Sequence, residues 1–266
     1  MSYRIFPCVT QQDAEIVVLS SGLGGHASFW QPQIETLTQY FQVLVYDQEG
    51  CHADSDALPT SYSIKNMAKQ ILDILQQQQI KRCHFIGHAL GAVIGAELAV
   101  LVQNTDISLT SLTFINAWDA LDPHTQKCFQ ARITLLENVG AEAYIRVQAL
   151  FLYPPAYISK HIQKIQEIEN SGFDDFPPIN NVLVRLNALM SFKILPEHVA
   201  ALAKTDVYYI ANKDDFLVPY QKSIDLKKAL GHGVLTLLET GAHASSVTES
   251  KTVNQVLIQN LVEEVL

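Results

Sequence analysis

The chain has 266 residues, 48% of them hydrophobic and 17% charged, and its 18 Lys and Arg against 27 Asp and Glu give a net charge of −9. That length fits one large domain or a domain carrying an insertion, and so apolar a composition excludes a disordered polymer. The acidic balance, without any basic stripe, excludes a binder of nucleic-acid backbones, which needs concentrated positive charge.

Met1 to Cys8 has one Arg and no apolar stretch, so no secretory signal is expected there. Ile16 to Leu19 is a β-branched apolar run that stops at Ser20-Ser21-Gly22, and Gln42 to Tyr46 is a second that stops at Asp47. Ile64, Met67, Ala68, Ile71, Leu72 and Leu75 then recur at helical spacing, with Ser63 placed as N-cap. Cys83 to Ile86 reads as a third strand, broken at Gly87, and Val93 to Leu101 continues as a helix. The nearly apolar stretch from Phe85 to Val102 is not a membrane span, because Gly87, His88, Gly91, Gly95 and Glu97 are costly in lipid. Leu112 to Ile115, Asp206 to Ile210 and Val234 to Leu238 complete the strand-like runs, and Val253 to Leu266 closes the chain as a helix.

Runs lacking period-2 alternation imply strands covered on both faces. Their alternation with helices implies an α/β fold with a mostly parallel, doubly wound sheet. Between the fourth and fifth strands lie helical segments only: Thr125 to Glu137, Ala141 to Phe151, Ile158 to Glu169 and Asn180 to Phe192, punctuated by Pro154-Pro155 and Pro177-Pro178. The expected organisation is a core of residues 1–118 and 205–266, with residues 119–204 a helical lid insertion over the carboxyl edge of the sheet.

Three loops at strand ends carry candidate chemistry. Ser20-Ser21-Gly22-Leu23-Gly24-Gly25 is a glycine loop that suits an anion or a developing oxyanion, and it lacks the spacing of a dinucleotide fingerprint. Gly87-His88-Ala89-Leu90-Gly91 has the frame of a nucleophile elbow, a sharp strand-to-helix turn, but its centre is Ala89. A methyl group has no lone pair, so covalent catalysis there is excluded. Neither Ser21 nor Cys51 sits at the bend to replace it. Asp215 and His243, following successive strands, have the order of an acid and base pair, Asp215 holding one ring nitrogen of His243. Asp214 reads as a cap, and His88 as a structural neighbour of the bend.

Cys8, Cys51, Cys83 and Cys128 are scattered without a CxxC pair, which fits buried thiols in a reducing compartment. His26, His52, His84, His124, His161, His198 and His232 show no ligand spacing, so no metal site is expected.

The chain resembles α/β-hydrolase-fold proteins over nearly its whole length. More narrowly it resembles the RutD family of carbamate (aminoacrylate) hydrolases of pyrimidine degradation. The residues that carry this are Ser21-Gly22-Leu23-Gly24-Gly25, Tyr46-Asp47-Gln48, Gly87-His88-Ala89-Leu90-Gly91-Ala92 and Phe151-Leu152-Tyr153-Pro154. Arg185-Leu186-Asn187-Ala188-Leu189, Asp214-Asp215 with Leu217-Val218-Pro219, and His243-Ala244 with Val247-Thr248 add to the match. It departs at Glu49, where a basic residue is common, and at Ser21-Gly22, where many hydrolases have His-Gly. The resemblance implies that Ala89 is native.

It further implies a hydrolase of a labile C–N substrate: carbamate to ammonia and carbon dioxide, or aminoacrylate to malonic semialdehyde and ammonia. His243, oriented by Asp215, would activate a water above Ala89, and the N–H groups of Leu23 and Leu90 would steady the oxyanion. Asn116 and Trp118 at a strand end, Tyr153 in the helical stretch and Ser21 are the expected substrate contacts. No cofactor is expected. The expected partner is a small molecule in the cytoplasm, without nucleic acid or membrane, and a homodimer is left open. Two alternatives remain: a non-catalytic scaffold binding a metabolite or protein, and a cofactor-free oxygenase or lyase.

Overall fold

A computed structural model describes residues 2–262. Seven strands form one sheet: β1 (Tyr3–Phe6), β2 (Ile16–Ser20), β3 (Gln42–Tyr46), β4 (Arg82–His88), β5 (Ser108–Ile115), β6 (Asp206–Asn212) and β7 (Val234–Leu238). The order across the sheet is β1-β3-β2-β4-β5-β6-β7, with β1 antiparallel to β3 and every other pairing parallel. The expected parallel α/β sheet is therefore present, and β1 adds an edge strand too short to stand out by its pattern.

Why the strands lack polar alternation is visible in the packing. Val17, Leu19, Val43, Val45 and Ile86 face a core completed by Trp30, Leu37, Val253 and Leu257. Ile16, Val18, Leu44, Phe85 and Leu112 face the other core, completed by Met67, Ile71, Leu90 and Val93. The first layer holds α1 (Gln31–Leu37) and α12 (Ser250–Val262), and the second holds α2 (Ile64–Gln77) and α3 (Leu90–Val102). Full burial of each such side chain contributes about 1.5–3 kcal/mol, so both faces must be apolar. The last four residues of the expected helix Val253 to Leu266 lie outside the described residues.

Ser63 caps α2 as its sequence implies: Asn66 N–H donates to Ser63 Oγ, and Ser63 N–H donates to Asn66 Oδ1 at 3.0 Å. Such a cap contributes about 1 kcal/mol. Between β5 and β6 run α4 (Pro123–Asn138), α5 (Ala141–Leu152), α6 (Pro155–Lys160), α7 (Ile162–Asp174), α8 (Ile179–Ser191) and α9 (Pro196–Leu202). The expected single helix from Ile158 to Glu169 is two, broken at His161, whose φ of −119° and ψ of 25° leave the helical region. Two further short helices, α10 (Gln221–Leu230) and α11 (Ser245–Thr248), complete the chain, and α10 stops at Gly231 in the left-handed conformation. Among the described residues no helix is long and apolar enough to cross a membrane.

The register places the site. Ser20 pairs with Gly87, His88 with Ile115, Ile115 with Ile210, and Asn212 with Leu238. The loops after β2, β4, β5, β6 and β7 therefore emerge along one edge of the sheet, where open α/β sheets bind ligands.

Candidate active site

One residue, Ala89, joins β4 to α3, with φ 49° and ψ −108°. A non-glycine residue held there costs on the order of 1–3 kcal/mol. Hydrogen bonds hold it: Ala89 N–H donates to the Ile115 carbonyl at 2.9 Å, and the Ala89 carbonyl accepts from Ala92 N–H at 3.0 Å. Both flanking glycines are sterically required. A Cβ on Gly87 would lie 2.4 Å from the Ala92 backbone, and one on Gly91 would lie 2.0 Å from the Ser20 carbonyl oxygen. Leu90 opens α3, so its N–H is one of the orphan donors at a helix start and carries the positive end of the helix dipole. The Leu23 N–H, in the glycine loop opposite, has no backbone acceptor among the described residues.

The Asp215 and His243 side chains meet. His243 Nδ1 lies 2.8 Å from Asp215 Oδ2, with the two side chains 4% and 0% exposed. Asp215 Oδ1 also accepts from Leu217 N–H and Val218 N–H, each at 2.9 Å, which fixes the carboxylate. A carboxylate facing Nδ1 keeps the proton on that nitrogen and leaves the Nε2 lone pair for chemistry.

The backbone of His243 is clamped by groups whose roles the sequence did not disclose. Its carbonyl oxygen accepts from Asn116 Nδ2 and from His88 Nε2, both at 2.7 Å. Asp214, expected as a cap, braces the loop that carries His243, accepting from Gly241 N–H and Ala242 N–H at 3.1 and 2.8 Å. His88 is stacked on Phe29 and lies against the His243 ring at 4.7 Å. Burial, then the neighbouring His243, push its pKa down to about 3, so it is neutral and donates from Nε2.

A cavity of about 200 Å³ lies beside this edge, under α4, α5, α7 and α8. Of the expected contacts, Leu23 and Tyr153 line it, whereas Ala89, Leu90, His243, Ser21, Asn116 and Trp118 do not. Asn116 is turned to the carbonyls of Ala242 and His243, and Trp118 is fully buried. Ser21 is buried too, its carbonyl accepting from Gln48 Nε2 at 2.7 Å. One hydrogen bond joins the cavity wall to the His243 loop, from Ala244 N–H to the Leu152 carbonyl at 2.9 Å.

Two buried arginines, Arg132 and Arg185, 4% and 2% exposed, line the cavity without having been expected there. Arg185 donates to Gln48 Oε1 and Arg132 to the Tyr144 hydroxyl, and neither is within ion-pair distance of a carboxylate among the described residues. Burial alone pushes the Arg185 pKa down. The signal was available: Arg185 sits among Val182, Leu186 and Leu189, and Arg132 among Cys128, Phe129 and Leu136, each charge lying on the buried stripe of its helix. His26, Asp47, Cys51 and His52, which show no ligand spacing in the sequence, each bring one potential ligand atom within 4.8 Å of the others.

A family model described as alpha/beta hydrolase fold matches residues 15–134. A protein of Acinetobacter baylyi named "Putative carbamate hydrolase RutD" is 50% identical over 261 residues, covering 98% of each chain. Its namesake from Stutzerimonas stutzeri is 43% identical, covering 96% of this chain and 94% of that one. The enol-lactonase of Burkholderia xenovorans superposes with a TM-score of 0.84 at 20% identity, covering 98% of this chain and 95% of that one, which bears on the fold alone. With that identity over nearly the full length, the chain belongs to the RutD family of α/β-hydrolases.

Proposed function

We propose that the chain hydrolyses a small anionic C–N substrate of the carbamate class, using water activated by His243. The observation that carries this reading is the buried contact of His243 Nδ1 with Asp215 Oδ2 at 2.8 Å, beside an elbow whose central side chain is a methyl group. In this reading Nε2 takes a proton from a water above Ala89. The oxygen attacks the carbon, and the negative charge that develops falls to the Leu23 and Leu90 N–H groups. Collapse expels ammonia after proton return from His243, so that carbamate and water give ammonia and bicarbonate. An aminoacrylate would first take a proton at its α-carbon to become the imine. Water activated by His243 would then add to the C=N carbon and the carbinolamine would release ammonia and malonic semialdehyde, placing the reaction in the nitrogen-releasing stage of pyrimidine breakdown.

The missing hydroxyl suits such a substrate. Loss of a serine nucleophile costs roughly 10⁶ in kcat, while the rest of the site retains about 10³–10⁴ over water. Stable esters and amides then go unturned, whereas an intrinsically labile carbamate needs only that residue of help. The relatives' name, which includes carbamate hydrolase, supports the same class. So does the cavity: two buried guanidiniums without carboxylate partners favour an anion, and carbamate and aminoacrylate both carry a carboxylate. Residues 119–204 serve as the lid in this reading, with residues 1–118 and 205–266 as the core, and Tyr153 on the lid side of the cavity.

The test is ammonia release from carbamate in the presence of the chain, against an enzyme-free control and a neutral carbamate ester. The reading expects acceleration for the anion and little for the ester. A carbamate rate equal to the control would leave a binding scaffold.

A further inference from the structure

We propose that His26, Asp47, Cys51 and His52 form a zinc site at the wall of the cavity, outside the Asp215 and His243 pair. The ligands come from two loops, His26 after β2 and the other three after β3. Because those strands are parallel neighbours, their carboxyl ends lie side by side. The separation in sequence between His26 and Asp47 conceals what the sheet brings together.

One sulfur, two imidazoles and one carboxylate make a borderline-soft donor set, the kind that takes a d¹⁰ divalent ion in tetrahedral geometry. With bonds of about 2.0–2.3 Å, donor atoms on a tetrahedron stand roughly 3.3–3.8 Å apart. The four ligand atoms lie within 4.8 Å of one another, so the loops draw in by about 1.5 Å at most on binding.

Two of the ligand atoms, His52 Nε2 and Asp47 Oδ2, already face each other. His52 Nδ1 is engaged by Asp175 Oδ2 at 2.7 Å, leaving Nε2 as its ligand atom, and that nitrogen stands 3.5 Å from Asp47 Oδ2. Asp47 Oδ1 is used by Ala27 N–H at 2.8 Å, leaving Oδ2. Asp175 is itself fixed by Ala53 N–H at 3.0 Å, so the outer carboxylate that orients a metal-bound imidazole is in place. Gly25, at φ 85°, is what lets Cys51 approach: a Cβ there would lie 2.6 Å from the Cys51 Cβ.

Charge is consistent as well. The Arg185 guanidinium lies against Gly25 and would repel a bare dication nearby. Once Cys51 gives its proton to solvent, thiolate and carboxylate cancel the two charges of the ion, and two neutral imidazoles add none. Four protein ligands complete the shell, so the ion is structural. It pins the loop bearing Leu23 to the loop after β3, and through Asp175 it ties both to the end of α7. It is independent of the hydrolytic reading, because binding is measured without turnover.

The experiment uses tag-free, full-length protein stripped with a chelator. Zn²⁺ is titrated in competition with a chromophoric chelator, and Co²⁺ is added alone for its absorption spectrum. The expected result is one equivalent bound, a thiolate-to-cobalt charge-transfer band, and a higher Tm with Zn²⁺. Cys51→Ser loses the band, and Asp175→Asn weakens zinc by about 10–100-fold, as loss of an outer partner does. Absence of the band in the wild-type chain overturns the proposal, as does a band that survives Cys51→Ser. Should Cys51→Ser fail to fold, the wild-type spectrum and the Asp175→Asn affinity decide.

Discussion

At the scale of single residues, Arg185 tests the charge of the substrate. Its guanidinium is buried, lines the cavity, and is held by Gln48 without a carboxylate. Arg185→Gln keeps a donor toward Gln48 and removes the charge. Losing one charged partner of a desolvated pair costs about 2–5 kcal/mol, so KM for carbamate should rise by at least roughly 10-fold with a smaller change in kcat. An unchanged KM would remove the anion argument, and the Tm of the variant separates binding from folding. This residue was readable only in part. A charge on an apolar helical stripe is visible in the sequence, but the side of the helix facing a cavity is set by how α8 packs. Asp215, His243 and Ala89 were legible because strand ends, glycines and chain order announce them. The clamp of Asn116, His88 and Asp214 on the His243 loop was not, because it consists of contacts between loops far apart in sequence.

At the scale of elements, the sharp bend from β4 to α3 depends on two bare backbones. Gly91 lies so close to β2 that an added methyl would enter the Ser20 carbonyl oxygen, backbone against backbone. Gly91→Ala should therefore destabilise the chain by more than about 4 kcal/mol, the range kept for overpacking that nothing flexible can relieve. Urea unfolding measures it, and a midpoint within error of wild type would contradict the account of the turn. The parallel strands were legible because burial on both faces leaves uninterrupted Val, Ile and Leu. β1 was not, since four residues at the sheet edge carry too little pattern, and Tyr3 and Ile5 are only partly buried. The break at His161 escaped notice because Ile158, Ile162 and Ile165 keep helical spacing across it.

At the scale of the whole molecule, stability should depend on pH through histidines buried in neutral form. His88 has its pKa lowered to about 3 by burial, and desolvation also lowers His26 and His84. A lowered folded value means that the unfolded chain binds more protons below its own pKa of about 6.5, so stability is full above that point and falls as pH drops toward the folded pKa. His88 alone contributes a slope approaching about 1.4 kcal/mol per pH unit there. His52, raised by Asp175 and Asp47 against its desolvation, acts in the opposite direction, but it is more exposed. Unfolding midpoints should thus fall between pH 7 and pH 4, and His88→Gln, which keeps a donor toward the His243 carbonyl, should flatten the curve. An identical curve for the variant would contradict the neutral, buried state of His88.

The catalytic reading rests on an imidazole that activates water without a nucleophile beneath it, and its most direct measurement is the initial rate of ammonia release from carbamate by His243→Gln beside wild type. His243→Gln, folded and with unchanged Tm, should fall to the spontaneous rate; a variant that retains the wild-type rate would show that His243 does not activate the water.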